Sequence, residues 1–378
     1  MMFSINFSCK PFNLLFALLI CFFSGCSAAN NQTISATDDH PTPEKKLLVA
    51  VLPLNNLSST PAPLGEIRQL LISSFKQQGL HILPDETVER FIIKHRVRYV
   101  GGLDEMLAGN LRDETGANAV LISSVDFYNE NPPPKVALTC RLVSTGKNLP
   151  ILWMDGVGLA GDDSVGILQL SLIEDPQELL NKAVRYLSTS LAAYLTGKRY
   201  LPLSRRKIIK FWPKVFYRSP VFEPGWKYTV AVVPFFNLSE NRFAGEIMPL
   251  HFVNQLLRSE NFAVIEPGIV RHLLLEMRII LDNGISLAGS NALFSKLPAD
   301  LILTGKVFDY QDYTGLSGRA KVDFSALMID RRGREIVWAC ESHDQGDYGV
   351  FFFDWGKINT AHRIASEMVA AALETLVD

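Results

Sequence analysis

The side chains best able to carry chemistry in this chain are its five cysteines, at 9, 21, 26, 140 and 340, and its seven histidines. No histidine pair shows H-x-x-x-H or H-E-x-x-H spacing, and neither Cys140 nor Cys340 has a neighbouring ligand. The spacing predicts neither a metal site nor any other cofactor. Gly156-Val-Gly158-Leu-Ala-Gly161 satisfies G-x-G-x-x-G after a strand, but Asp162 and Asp163 follow it. A pyrophosphate there needs helix amides, and carboxylates would repel it. Gly284-Ile-Ser286-Leu-Ala288 approaches a nucleophile elbow but lies outside any strand-to-helix turn, so hydrolase chemistry is not expected. The reading is a chain that is not an enzyme. What remains is one cysteine in a distinctive setting and two polar turns, Asn55, Asn56 and Ser58, and Asn237 with Ser239.

Cys26 ends a short apolar segment: Lys10, the run Phe12 to Phe23, then Ser24 and Gly25. About a dozen apolar residues at ~1.5 Å each cannot cross a ~30 Å hydrocarbon core, so residues 1–25 read as a removable secretion signal. Phe23-Ser24-Gly25-Cys26 resembles a bacterial lipobox, with Phe23 where most carry Leu. The resemblance implies diacylglycerol on the Cys26 sulfur and a further chain, such as palmitate, on its amino group. Two or more chains anchor stably, at about 0.8 kcal/mol per buried methylene. Ser27 in place of Asp implies, by the same resemblance, the outer membrane, with the protein facing the periplasm. Residues 26–46, rich in Asn, Thr, Asp and Pro, read as a flexible tether. Cys140 and Cys340 sit in strand-like runs and read as two buried thiols rather than a disulfide.

These signals must be positioned by a folded body, and the sequence supplies it twice. Leu48-Val-Ala-Val-Leu-Pro-Leu-Asn-Asn-Leu-Ser58 recurs as Thr229-Val-Ala-Val-Val-Pro-Phe-Phe-Asn-Leu-Ser239. Gly65-Glu66-Ile67 recurs as Gly245-Glu246-Ile247, Ala117 to Tyr128 as Ala299 to Tyr310, and Ile151-Leu152-Trp153 as Ile336-Val337-Trp338. Matches in one order at an offset of ~180 predict a tandem duplication. The modules span 47–197 and 227–378, joined by a connector over 198–226. In each, a β-rich run feeds an amphipathic helix (Leu64, Ile67, Leu70, Leu71, Phe75). A short strand and two helices follow, then three strands, and a last helix opened by Asp175-Pro176. The fold class is α/β, each repeat a mixed β-sheet covered by helices. The strands Val136–Leu142 and Val322–Met328 alternate, with Lys135 and Arg141, or Lys321 and Asp323, on a polar face read as solvated.

Net charge −2, with 48% hydrophobic and 20% charged residues, fits a globular protein and gives no field for a nucleic-acid partner. No stretch beyond the leader reaches eighteen apolar residues.

The Val-Ala-Val-Leu-Pro strand, the Asn-Leu-Ser turn, the Gly-Glu helix start and the strand ending Asp-Tyr together resemble the periplasmic α/β module of CsgG, LpoB and the TolB N-terminal domain. The resemblance covers both repeats and implies an envelope accessory that assists assembly, secretion or regulation by binding. It implies an envelope protein partner and admits a homo-oligomer.

Three surfaces could bind. The turns Asn55, Asn56, Ser58 and Asn237, Ser239 lie beyond the carboxyl ends of the first strands, where α/β sheets place ligands. They either sense a ligand in that crevice or make Asx turns to local backbone. In the connector, Arg205, Arg206, Lys207, Lys210 and Trp212 belong to a basic aromatic stretch opposed by one acid, Glu223. It either meets a membrane or acidic partner or packs as a linker. Phe351, Phe352 and Trp355 form either an interface anchor or core beneath the last helix. An export pore would need long membrane-facing hairpins, which the polar faces argue against.

Overall fold

The structure is a computed structural model; it describes residues 47–163, 172–198, 211–281, 284–315, 318–347 and 357–377. The first module begins with β1 (Leu48–Val51), whose Val-Ala-Val core is buried on both faces, as expected of a central parallel strand. It lies parallel to β3 (His81–Ile82) and β4 (Ala119–Asn129). β4 continues antiparallel into β5 (Lys135–Ser144) and β6 (Ile151–Ala160), giving the order β3-β1-β4-β5-β6, with β2 (Asn55–Asn56) on β4. The second module repeats it: β10 (Phe262–Val264), β8 (Tyr228–Val232), β11 (Leu301–Gln311), β12 (Lys321–Asp330), β13 (Ile336–Gln345), with β9 (Phe236–Asn237) on β11. Even the irregularities recur, since register shifts fall at Val125/Phe127 and at Val307/Asp309. The chain is two tandem α/β modules. The second sheet has one additional strand, β7 (Val215–Arg218), drawn from the connector onto the free edge of β13.

In the first module α1 (Leu64–Gln77) and α4 (Pro176–Leu195) cover one face of the sheet. Ile67, Leu71 and Phe75 recur at helical spacing and meet Leu180, Val184, Leu187 and the buried Trp153. Burying each such side chain contributes about 1.5–3 kcal/mol. Trp153 donates its indole N–H to Ser190 Oγ at 3.2 Å, and its counterpart Trp338 donates to Thr375 Oγ1 at 2.9 Å. The corresponding pair of the second module is α5 (Ala244–Leu256) and α8 (Ala361–Val377). On the opposite face α2 (Asp85–His95) and α3 (Glu105–Thr115) cover only the β3-β1-β4 half, as α6 (Pro267–Glu276) and α7 (Leu287–Lys296) do in the second module.

The uncovered half of that first sheet receives the second module. α5 and α8 are wedged between the two sheets and pack on β6 as well as on their own strands. For this reason α5 is buried all round, where α1 buries one stripe. Pro249 inside α5 cannot donate to the Gly245 carbonyl, and that oxygen instead accepts from Phe235 N at 2.9 Å. The wedge corrects the expectation for β5: Lys135 and Arg141 are not solvated but 1% and 3% exposed, because the second module lies on their face.

Gly156 and Gly158 also take their meaning from this contact. They lie within β6, not in a loop after a strand. A Cβ on Gly156 would sit 2.9 Å from the His362 ring, and one on Gly158 would sit 2.8 Å from Thr360 Oγ1. Glycine lets α8 settle directly on the strand. The equivalent positions of β13 are Glu341 and His343, both exposed. Gly158→Leu is expected to cost about 1–3 kcal/mol through overpacking, seen as a lower urea midpoint with an unchanged slope. His343→Leu should leave the midpoint unchanged.

Candidate functional site: the seam between the modules

The seam concentrates the buried polar groups of the protein. Arg141, on β5, donates from Nη2 to Glu266 Oε1 at 2.8 Å, from Nε to Oε2 at 3.1 Å, and from Nη2 to the Gly101 carbonyl at 2.6 Å. Glu266 caps α6 and is fully buried, so this fork-shaped pair compensates a charge that could not otherwise be desolvated. Lys135, at the other end of β5, donates to the Asn359 carbonyl at 2.9 Å and lies 3.1 Å from the Tyr313 ring centroid. Burial pulls the Lys135 ammonium down to about 8, against the opposing pull of Asp312.

Between these two anchors, Asp126 accepts from Ser124 Oγ at 2.6 Å and from Thr139 Oγ1 at 2.5 Å. His362, on α8, approaches the same carboxylate at 3.4 Å and Thr139 Oγ1 at 3.3 Å. It also meets His251 of α5 with ring centroids 4.5 Å apart. Burial, then the neighbouring His362, holds His251 well below the usual imidazole range. Burial likewise lifts Asp312 to about 6, while its Oδ1 accepts the Ala361 N–H at the start of α8. Asp155 accepts from Arg258 Nη2 at 2.9 Å and from Ser190 Oγ at 2.5 Å, tying the turn that follows α5 and helix α4 to one carboxylate.

Acid, imidazole and hydroxyl meet here, but not as a nucleophile relay. The Thr139 hydroxyl spends its proton on Asp126 rather than on His362, and all three groups are buried between packed layers. The chemistry of the arrangement is adhesion. It joins two halves in one register, since Arg141 with Glu266 and Lys135 with the Asn359 carbonyl are paired only when those halves meet.

The first polar turn reaches the seam through Asn55 alone. Asn55 lines a cavity of about 50 Å³ with Tyr99, Arg141, Glu246 and Arg271, closed by Pro234, Pro249 and Pro267 of the second module. That is room for ordered water rather than for a metabolite. Asn56 and Ser58 are engaged locally: Asn56 Oδ1 accepts Ser58 N–H at 3.0 Å and Ser58 Oγ–H at 2.6 Å. Asn237 and Ser239 repeat this geometry at 3.0 and 2.7 Å, and neither lines that cavity. The Asx-turn role therefore accounts for these four side chains.

In the connector, Phe211 and Phe222 enter the core of the second module. Trp212 is half-buried and meets the Phe216 ring edge-on at 6.1 Å. Cys26, Arg205, Arg206, Lys207, Lys210, Phe351, Phe352 and Trp355 lie outside the described residues. Cys140 and Cys340 are free and buried, and burial pushes both thiols up to about 12. The residues of the seam were missed from sequence. The signal in hand was a lysine and an arginine, Lys135 and Arg141, on a strand whose other face is apolar.

No family model and no curated protein matches this chain. Among solved structures it is similar to PelC of Paraburkholderia phytofirmans, a dodecamer, at 20% identity and a TM-score of 0.29 over 43% of this chain and 94% of that one. It is similar to lipoprotein GNA1162 of Neisseria meningitidis at 19% identity and 0.28, over 38% and 98%. The LpoB C-terminal domain of Salmonella enterica follows at 18% and 0.26, over 30% and 82%. Each likeness spans less than half of the present chain.

Two measurements test the seam. Glu266→Gln or Arg141→Met should each lower stability by about 3–5 kcal/mol, and the double variant Arg141→Met/Glu266→Leu should recover most of the loss, because no charge is then left buried. Lys135 has its pKa near 8 when folded and 10.5 when free, so between these values the unfolded chain holds the extra proton and stability rises with pH. The contribution is present above ~10.5 and is lost as pH falls through ~8. Subtracting the urea stability of Lys135→Met from that of the parent at each pH should reveal this slope.

Proposed function

We propose that this protein is a non-catalytic lipoprotein of the bacterial envelope, anchored through Cys26 in the outer membrane and facing the periplasm. There it serves assembly, secretion or regulation of an envelope machine through protein contacts. The observation that carries the reading is the surface of the connector. Val215, Phe216 and Tyr217 on β7 are 58%, 48% and 51% exposed, and Val221 and Trp226 nearby are 67% and 52% exposed. Apolar groups gathered on one sheet edge are what a protein partner covers, by side-chain burial or by strand addition. Among the described residues β7 is paired on one side only. The lipobox resemblance at Phe23–Cys26 supports the anchor, and residues 26–46 supply reach from the bilayer.

Cys26→Ser should move the protein from the membrane pellet to the soluble periplasmic fraction, and mass spectrometry should find acyl groups on Cys26 of the parent. A photo-crosslinking residue placed at Tyr217 should capture a defined envelope protein in intact cells. Repeated recovery of no such protein would count against the reading.

A further inference from the structure

The tandem duplication allows one module to report what the other lacks. The backbone registers equate Ile122 with Thr304, Ser124 with Lys306, Thr139 with Ser325 and Arg141 with Leu327, because Ile122 faces Arg141 as Thr304 faces Leu327. The Asp104 cap of α3 and the Ser286 cap of α7 likewise correspond, with Gly102 and Gly284 two residues ahead of each.

In the first module this place is filled. The turn Glu266-Pro267-Gly268, which leads from β10 into α6, inserts between the α3 entry and β5. Arg141 grips Glu266, and a Cβ on Gly102 would fall 2.7 Å from Gly268 Cα. In the second module the same place is an open groove of about 410 Å³. Its floor and walls are apolar, including Leu287 at 58% and Ile336 at 46% exposure. Among the described residues its rim carries the cations Lys306 and Arg334 and one acid, Glu335. On the floor lies the hydroxyl of Thr304, buried and with no hydrogen-bond partner among the described residues. A buried hydroxyl without a partner is a desolvated polar group, and a ligand oxygen would relieve it.

We propose that this groove docks an acidic, proline-bearing turn of a partner protein, the chemistry that Glu266-Pro267-Gly268 brings to the matching place in the first module. The turn's carboxylate meets Lys306, Arg334 and the Thr304 hydroxyl, and its flanking aliphatic residues lie against Leu287 and Ile336. This rests on the reading of the protein as one that works through protein contacts, and it names the partner's recognition element.

A second copy of this chain is a weaker occupant. Glu341 and His343 stand where the first module has glycines, and α4 presents Lys182, Arg185 and Tyr186 where α8 presents buried side chains.

The probe is a fluorescent peptide with the sequence of residues 262–271, titrated against the full chain by anisotropy. Saturable binding is expected, weakened at least about tenfold by glutamine in place of the peptide glutamate. Lys306→Glu/Arg334→Glu should abolish it, with the melting temperature unchanged, and lysine in place of the peptide glutamate should restore binding to that variant. No binding, or binding indifferent to both charge changes, overturns the proposal. Loss of an oligomer to monomer in the Lys306→Glu/Arg334→Glu variant would also overturn it, by making the groove a self-contact. Either failure is separable from failure of the proposed function, which is read independently by capture at Tyr217.

Discussion

The structure depends on one act of burial: the second face of the first sheet is closed by helices that belong to the second module. Left alone, that uncovered part of the sheet would expose Arg141 and Lys135 of β5 and Asp126 of β4 on a surface backed by apolar core, and α5 and α8 would expose apolar flanks. Each half supplies what the other cannot leave in water. The Arg141–Glu266 pair sets the register of the joint, because a charge at either position is tolerable only opposite its partner.

From this follows the asymmetry of two modules that share a fold. Repeat proteins end their stacks with polar outer faces, and both ends are visible here. α1 and α4 turn charged and amide side chains outward, and β12 and β13 carry Lys321, Asp323, Glu341 and His343 on their open face. Two sequences that fold alike have therefore diverged at the surfaces that decide whether another layer can be added. One groove on the terminal face keeps an apolar lining and a buried hydroxyl with no partner among the described residues. Polar capping alone would not produce that combination.

The buried polar groups at the seam are held in separate paired sets, and the cavity beside them is water-sized. The accessible features lie elsewhere, on the β7 edge and on the terminal sheet face. The interior of this molecule serves cohesion, and its exterior carries what can be recognised.

Much of the fold was legible because it rests on local physics. Ile67, Leu71 and Phe75 announce a helix by spacing, Asp175-Pro176 announces its start, and Asn56 and Asn237 fold back on hydroxyls two residues away. The repeat itself appears as identity of pattern. Other features could not be read so. Alternation along β5 says that one face is polar, but not whether water or a second layer satisfies it, and the contact that decides lies 125 residues along the chain at Glu266. Asp162 and Asp163 already argue against a nucleotide at Gly156 and Gly158, but why glycine stands there is decided only by α8 lying on them. The connector strand β7 finds its partner only at β13, more than a hundred residues later. Sequence alone determined the elements and their duplication, since hydrophobic periodicity and turn chemistry act over a few residues. Tertiary structure decided which polar faces are interior and which apolar ones remain open, since that depends on what packs against them across the whole chain.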